Sequence, residues 1–222
     1  MRTRAYGQFC GLARALEIVG ERWAMLIVRD LLVSPKRFTD LHRGFPRIPT
    51  NVLAARLKEL ETAGVVRRRL LPRPAGSVIY ELTEYGAELE DVVVRLGCWG
   101  AKLLDEPRPD EIVTEDSLVM ALRSTFHPEA ARGLHAGYEL HLGPIVIHAR
   151  IDDGKLEASA GPLPAPDLII EAGPAIRDLM AGAISPSQAI ENGTVQLTGN
   201  AKLLTRFPKI FRIEPMPASS PA

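Results

Sequence analysis

The sequence predicts an α+β protein of two domains, the first made mostly of helices and the second built around an antiparallel sheet. In the first hundred residues, helical periodicity changes to strand periodicity once, in a short ribbon, whereas strands and helices alternate in the second half. The charge divides in the same way: residues 1–104 contain 17 Lys and Arg against 11 Asp and Glu, and residues 105–222 contain 10 against 16. We therefore predict domains at residues 1–104 and 112–222, joined by a polar, proline-containing linker at 105–111.

Composition and residue types argue against several classes of protein. The chain of 222 residues is 46% hydrophobic and 24% charged, which is typical of a globular protein. Its two cysteines, Cys10 and Cys98, lack metal-ligand spacing and predict a reducing compartment. The sequence contains no apolar run of the roughly 18 residues that a membrane span needs, and no phosphate-binding glycine loop, nucleophile elbow or zinc motif. We expect a cytoplasmic protein without catalytic residues, metal, cofactor or membrane contact.

Four helices are predicted at the start of the first domain. Apolar residues recur at helical spacing over residues 11–33, which predicts two helices, and a short third helix follows at 37–43. The fourth helix covers residues 51–63, with Thr50 as its N-cap and Gly64 after its end. Its leucines fall on one face and are expected to be buried: Leu53, Leu57 and Leu60.

The opposite face of the fourth helix has the composition of a surface that recognises DNA. It presents Asn51, Ala55, Lys58 and Thr62, with Thr50 at the N-terminus and Arg56 on the flank. Small residues with one amide and one cation allow a helix to lie close in the major groove, where asparagine pairs with adenine edges. Arg56 would contact either a phosphate or an acidic partner inside the protein. The alternative is an ordinary amphipathic helix with a solvated charged face.

A cationic ribbon follows this helix. Residues 65–71 and 77–82 have strand character and flank a proline-rich loop that contains Arg73. The first strand contains three consecutive arginines, and alternation places the middle one on the face opposite its neighbours: Arg67, Arg68 and Arg69.

With a last helix at residues 84–104, capped by Thr83, the elements occur in the order of a winged helix-turn-helix, in which the ribbon is the wing. Lys36 and Arg37 add positive charge at the start of the third helix. We therefore expect the protein to bind double-stranded DNA. The candidate DNA contacts are Lys36, Arg37, Thr50, Asn51, Arg56, Lys58, Arg68 and Arg73.

Motifs in this domain resemble those of the HxlR family, bacterial winged-helix regulators related to the MarR group. In order, they are residues 16–23 (LEIVGERW), 37–41 (RFTDL), 52–60 (VLAARLKEL), 64–66 (GVV), 80–86 (YELTEYG) and 99–100 (WG). The resemblance covers about residues 8–104 and implies a homodimer built from the first and last helices of the domain. The chain departs from the family where the recognition helix opens, because Pro49, Thr50 and Asn51 stand where Ser-Pro is frequent.

The last helix of the domain carries an apolar stripe that suits the dimer interface implied by the resemblance: Val92, Val93, Leu96, Trp99 and Leu103. The alternative is that the stripe packs against the second domain.

Cys10 matches the position of a thiol sensor in some HxlR relatives, and Arg14, one helical turn away, would favour the thiolate. Packing at the dimer interface is the alternative role of Cys10, and Cys98 is expected to pack.

The second domain shows strands between helices. Thr114 caps a helix that ends before Pro128, and Asp153 and Gly154 form a hairpin turn. The predicted strands lie at residues 138–142, 145–151, 155–160, 168–171 and 194–198, with helices at 174–181, after Ser185, and at 201–207. The four histidines of this half lack metal-ligand spacing; His141 and Glu139 share a strand face, which predicts satisfied or exposed strand histidines.

This half resembles the sterol carrier protein type 2 fold at residues 166–170 (PDLII), 176–182 (IRDLMAG), 185–193 (SPSQAIENG) and 195–200 (VQLTGN). The resemblance covers about residues 112–214 and implies a long apolar pocket between the sheet and its helices, often for lipid-like ligands. The expected lining residues are Leu122, Phe126, Tyr138, Leu140, Ile147, Met180, Ile184 and Leu197. Tyr138 is the candidate for a polar contact that orients the ligand.

Together these patterns predict a DNA-binding transcriptional regulator that responds to a small apolar or lipid-like effector and is not an enzyme. The alternative is a lipid or small-molecule carrier, or an enzyme, that uses its first domain mainly for dimerisation. Strongly salt-dependent binding to duplex DNA distinguishes the two.

Overall fold

The computed structural model describes residues 5–72, 76–104, 108, 110–173 and 175–214. The chain divides into two compact units between Val93 and Val94. The predicted domain boundary after residue 104 and the linker at 105–111 stay predictions, and residues 105–107 and 109 of that linker lie outside the described residues.

The first unit has the predicted succession of helices and a ribbon. Its elements are α1 (Gly11–Val19), α2 (Ala24–Val33), β1 (Lys36–Arg37), α3 (Phe38–Gly44), α4 (Thr50–Thr62), β2 (Val66–Leu70), β3 (Val78–Leu82) and α5 (Glu84–Ala87), and α6 (Glu90–Ala101) begins in it. The three strands form an antiparallel sheet in the order β1-β3-β2. Lys36 of β1 lies opposite Tyr80, and Arg67 of β2 lies opposite Glu81.

The core of this unit is formed by apolar side chains from α2, α3 and α4 and the start of the ribbon. Leu53, Leu57 and Leu60 of α4 are buried, which confirms the predicted inner face. The helix begins one residue earlier than predicted, so Thr50 is its first residue and not its N-cap. Pro49 holds the capping position because its restricted φ suits an extended residue, and its carbonyl accepts the amides of Val52 and Leu53 at 3.0 Å.

The predicted single helix at residues 84–104 is interrupted after one turn. The Thr83 hydroxyl accepts the Gly86 amide at 3.0 Å and donates to the Gly64 carbonyl at 2.5 Å, which ties α5 to the turn that follows α4. Leu89 and Val93 then pack against the core. The break between α5 and α6 allows Thr83 to make its hydrogen bonds while Leu89 and Val93 pack against the core. Helical periodicity alone shows neither of these contacts.

The second unit contains the rest of α6 and a five-stranded sheet with helices. Its further elements are α7 (Glu115–Thr125), a 3-10 helix (Pro128–Ala131), β4 (His135–Leu142), β5 (Ile145–Asp152), β6 (Lys155–Ala160), β7 (Leu168–Ala172), α8 (Ala175–Ala181), α9 (Pro186–Glu191), β8 (Val195–Gly199), a 3-10 helix (Ala201–Thr205) and α10 (Phe207–Ile210). Thr114 caps α7 as predicted, since its hydroxyl accepts the Ser117 amide at 3.1 Å.

The sheet of the second unit is mixed, and the prediction of an antiparallel sheet is wrong at one pair. The strand order is β6-β5-β4-β7-β8, and β7 runs parallel to β4, with Leu168 opposite Tyr138. The other three pairs are antiparallel. The difference arises from the path of the chain after β6, which lies at one edge of the sheet. Residues 161–167 cross over β5 and β4, and β7 then pairs with the far side of β4 in a parallel direction.

In the part of the chain that the structure describes, no helix has the length and apolar character needed to cross a membrane.

A substitution of Gly86 tests the close contact between α5 and Val65, which lies just after the turn that follows α4. A Cβ atom at this position would lie 2.0 Å from the Val65 carbonyl oxygen, so the backbone must shift. We expect Gly86→Ala to destabilise the first unit by about 1–3 kcal/mol, measured by urea unfolding. Gly11→Ala, where a Cβ meets nothing within 4 Å, is the matched control and should change stability by less than about 0.5 kcal/mol. Equal stability of the two variants would show that this contact is not rigid.

Candidate nucleic-acid interface

The outer face of α4 is small and polar. Thr50, Asn51, Lys58 and Thr62 are exposed, as the pattern predicts, whereas Ala55 is half-buried. Ala54, which the sequence reasoning missed, is exposed on the same helix. Thr50 and Asn51 lie in the first turn, where free backbone amides and the helix dipole favour phosphate. The face therefore offers one amide side chain and one cation without bulky neighbours.

The two cations of α4 have different surroundings. Arg56 pairs with Glu59 on its own helix, and its guanidinium lies 3.8 Å from the Glu21 carboxylate in the connection before α2. Its side chain is only 20% exposed, which favours the internal acidic partner among the two roles expected for it. The Lys58 side chain is 75% exposed, and its ammonium lies 3.5 Å from Glu61. Lys58 is therefore the cation of α4 that a phosphate reaches more easily.

The three arginines of the ribbon divide between its two faces, as alternation predicts. Arg67 Nε donates to Glu81 Oε1 at 2.8 Å, and Arg69 Nε donates to Glu81 Oε2 at 2.9 Å. The guanidinium of Arg68 lies over the Tyr80 ring, 5.8 Å from its centroid. Sequence reasoning did not single out Glu81, because its pairing depends on the register that places it opposite Arg67.

Glu81 reduces the positive charge of the ribbon. Hydrogen bonds from Arg69 and Arg67 outweigh burial and lower the pKa of the Glu81 carboxyl below its ordinary value. The carboxylate therefore stays ionised and neutralises one of the two arginines that it holds. Arg68, on the other face, is stacked on an aromatic ring and makes no such pair with Glu81.

The remaining predicted DNA contacts lie beside the ribbon or beyond the described residues. Lys36 and Arg37 form β1, at the edge of the ribbon sheet, and Arg37 is exposed. The Lys36 ammonium donates to the Ser34 hydroxyl at 3.1 Å. Arg73 lies outside the described residues.

Comparison with known proteins decides the family of this fold. The model of the HxlR-like helix-turn-helix family matches residues 18–108. The HTH-type transcriptional regulator YodB of Bacillus subtilis is 37% identical over 102 residues, which are 46% of this chain and 88% of that protein. The chain belongs to the HxlR-like helix-turn-helix family.

A second relative agrees with that assignment. The B. subtilis regulator YtcD, uncharacterised, is 35% identical over 105 residues, covering 47% of this chain and 83% of that protein. The solved structure of the reduced form of YodB is 35% identical, covers 46% of this chain and 100% of its own, and has a TM-score of 0.39. This HxlR-family protein is a DNA-binding transcriptional regulator. The family model ends at residue 108, and these matches each cover less than half of the chain.

The helices expected to form a dimer expose apolar side chains. Leu12 of α1 and Leu96 of α6 are exposed, and the Trp99 residue is 64% exposed. Of the predicted stripe, Val92 and Leu103 are exposed as well, whereas Val93 packs against the core of the first unit. The stripe thus leaves a wide apolar surface on α6.

The two cysteines have different environments. Cys10 is exposed and occupies the N-cap of α1. Arg14 hydrogen-bonds Glu17 at 2.9 Å, so its guanidinium already has an acidic partner. Cys98 is half-buried and hydrogen-bonds the Ser124 carbonyl of α7, in agreement with packing. The sensor role of Cys10 stays a prediction.

The eight residues expected to line an apolar pocket lie inside the second unit. Leu122, Tyr138, Leu140, Ile147 and Met180 are buried, and Phe126, Ile184 and Leu197 are half-buried. The aromatic residues among them pack with two that sequence reasoning missed: the Tyr138 ring lies 5.7 Å from Phe207 and 6.4 Å from Phe211, and Phe126 lies 5.8 Å from Phe211.

Tyr138 has a partner without any ligand. Its hydroxyl donates to the Leu203 carbonyl at 3.2 Å, and burial raises its pKa to about 12. Side chains from the C-terminal segment therefore occupy the neighbourhood in which an apolar ligand was expected. The ligand site among these eight residues stays a prediction.

Glu81 also gives the ribbon a pH dependence with a defined sign. Because its pKa is lowered in the folded protein, its stabilisation is complete above the ordinary value of 4.5 and is lost as the pH falls through the lowered pKa. Below pH 4.5 we expect the unfolding temperature of the first unit to fall more in the wild type than in Glu81→Gln. The exposed Glu88→Gln should behave like the wild type. Identical pH profiles for wild type and Glu81→Gln would show that the pairing of Glu81 with Arg67 and Arg69 does not stabilise the first unit.

Proposed function

We propose that this HxlR-family regulator binds operator DNA as a homodimer, with α4 in the major groove and the ribbon against the phosphate backbone. The observation that carries the proposal is the outer face of α4, which is small and polar from Asn51 to Thr62 while its leucines are buried. A helix must approach the base edges closely to read them, and bulky side chains would prevent this.

Different residues would read bases and hold phosphates. Asn51, exposed in the first turn of α4, is the candidate for a bidentate contact with adenine. Thr50, Lys58, Arg37 and the wing arginines would hold phosphates and set the position of the helix. Because Glu81 neutralises part of the charge at Arg67 and Arg69, we assign more of the wing's attraction to Arg68. Lys36, Arg56 and Arg73 are further candidate contacts to phosphate.

A homodimer would cover apolar surface that a single chain leaves in water. Exposed apolar side chains lie on both helices that the family resemblance assigns to the interface, α1 and α6. Apolar side chains that a single chain leaves exposed in this way often mark an association site. Two-fold symmetry also matches two half-sites of an operator, each read by one α4.

We further propose that the second unit senses an effector. The proposal rests on the resemblance of residues 112–214 to the sterol carrier protein type 2 fold, whose members often hold lipid-like ligands in an apolar pocket between the sheet and its helices. An apolar effector among the eight predicted residues would have to displace part of the Phe207 and Phe211 cluster. Its binding would then be coupled to a rearrangement, which is what an effector needs to change a second function.

Substitutions on α4 test the DNA proposal. We expect Asn51→Ala to lose about 1–3 kcal/mol of binding free energy for an operator selected from random duplexes, and to relax base preference at one position of each half-site. Lys58→Ala should weaken all sequences alike and reduce the slope of log affinity against log salt by about one. Lys209→Ala, an exposed lysine of the second unit, is the control and should match the wild type. Unchanged affinity of both α4 variants across a salt series would remove the proposal.

The apolar stripe of α6 tests the homodimer. A charge in a buried interface is costly, so Leu96→Glu and Trp99→Glu should give monomers at micromolar concentration by sedimentation. Ile190→Glu places the same charge at an exposed apolar residue of α9 and should leave the dimer intact. A wild-type monomer, or dimers for all three variants, would contradict this interface.

Thermal unfolding of the full chain tests the apolar effector. A fatty acid, a sterol or an aromatic metabolite that binds only the folded second unit should stabilise it by about 2.7 kcal/mol at a hundred times its dissociation constant. Salt-dependent DNA affinity should change in parallel. If no member of the panel shifts the unfolding of the second unit, the aromatic cluster is a closed core and the apolar effector is wrong.

A further inference from the structure

The open face of the second unit's sheet carries a depression of about 510 Å³ that has no role in the functions above. Its walls include Gly137 of β4, Arg150 of β5 and Glu157 of β6, which lie side by side across three strands. They alternate along their strands with the buried Tyr138, Ala149 and Ala158, so the depression is on the face opposite the core. The volume is in the range of sites for small molecules.

The depression exists because one position lacks a side chain and a loop crosses beside it. A Cβ atom on Gly137 would lie 2.5 Å from a methyl carbon of Leu163, in the crossover between β6 and β7. Leu163 is buried, although its loop runs over the outer face of the sheet. Leu163 and Ala165 thus give the site an apolar wall next to its charged strands.

Polar contacts hold this wall in place without a ligand. Glu139 accepts the Leu163 amide at 2.7 Å, and His148 Nδ1 lies 2.9 Å from the Gly161 carbonyl at the start of the loop. Asp167, at the end of the loop, accepts the Gly137 amide at 2.7 Å. Because the loop is held at both ends and in its middle, it is already ordered before a ligand arrives. This lowers the free-energy cost of ordering it on binding.

The charged groups of the site divide into satisfied and available ones. The His135 ring hydrogen-bonds Asp152 at 2.6 Å, and Asp167 serves the Gly137 amide. By contrast, the side chains of Arg150, Lys155 and Glu157 make no hydrogen bond or ion pair with any residue that the structure describes. The groups without a partner in the described part of the chain are therefore two cations and one carboxylate, whereas Asp152 and Asp167 keep their negative charge while they hold His135 and the Gly137 amide.

We propose that this depression binds an acidic α-amino acid, a molecule with two carboxylates and one ammonium. The carboxylates would pair with Arg150 and Lys155, the ammonium with Glu157, and the methylene groups would lie against Leu163. Neighbouring strands and alternate residues along a strand are about 5–7 Å apart, which suits the span of such a ligand. This site is separate from the apolar effector proposed above and does not depend on it.

Calorimetric titration of the 222-residue chain with L-glutamate, in the absence of DNA, tests the site. We expect saturable binding that weakens roughly tenfold or more in Arg150→Ala and in Lys155→Ala, because each removes a charge-assisted contact. Lys209→Ala is the control and should bind like the wild type. Circular dichroism of each variant shows that a loss of binding is not a loss of fold.

A second ligand separates an amino acid from a simple dicarboxylate. Glutarate has the same carbon chain without the ammonium group, so Glu157→Gln should weaken L-glutamate binding but not glutarate binding. Absence of saturable binding below a dissociation constant of about 1 mM would overturn the proposal. Equal affinity of the wild type for both ligands would overturn the amino-acid assignment, and unchanged binding in Arg150→Ala and Lys155→Ala would overturn the location. Since no DNA is present, these results leave the DNA-binding proposal untouched.

Discussion

Burial of the leucine face of α4 is the constraint on which the first unit depends. Leu53, Leu57 and Leu60 enter the core together with side chains of α2 and α3, and each fully buried leucine contributes about 1.5–3 kcal/mol. Because a helix has a fixed angular period, burying one face determines which residues point outward. The same apolar contacts that stabilise the unit therefore also present Asn51 and Lys58 on the face that we propose contacts DNA.

In the first unit, ion pairs between side chains determine the charge available at the surface more than the number of arginines and lysines does. Arg56 braces α4 through Glu59 and Glu21, and Glu81 holds Arg67 and Arg69 on one face of the ribbon. These ion pairs help to hold α4 and the ribbon in place, on the surface that we propose faces DNA. The strongly basic character of the first half thus overstates the charge that a phosphate would meet.

The second unit shows how one crossing segment determines a face of a sheet. The loop at residues 161–167 makes β7 parallel to β4 and covers part of the outer face. Glu139 accepts the Leu163 amide and Asp167 accepts the Gly137 amide, so these two carboxylates hold the loop against the sheet. On the inner face, Phe207 and Phe211 fill the space beside Tyr138.

The sequence alone determined the order of elements, the inner face of α4, the alternation of the ribbon arginines and the family, because these depend on local periodicity and on motifs in a fixed order. The tertiary structure alone decided the approach of Arg56 to Glu21, the partners of Glu81, the contacts around the break before α6, the parallel pair in the sheet and the aromatic packing around Tyr138. Each of these joins residues far apart in the chain, and strand register, crossover path and side-chain packing are set by the whole fold and not by local pattern.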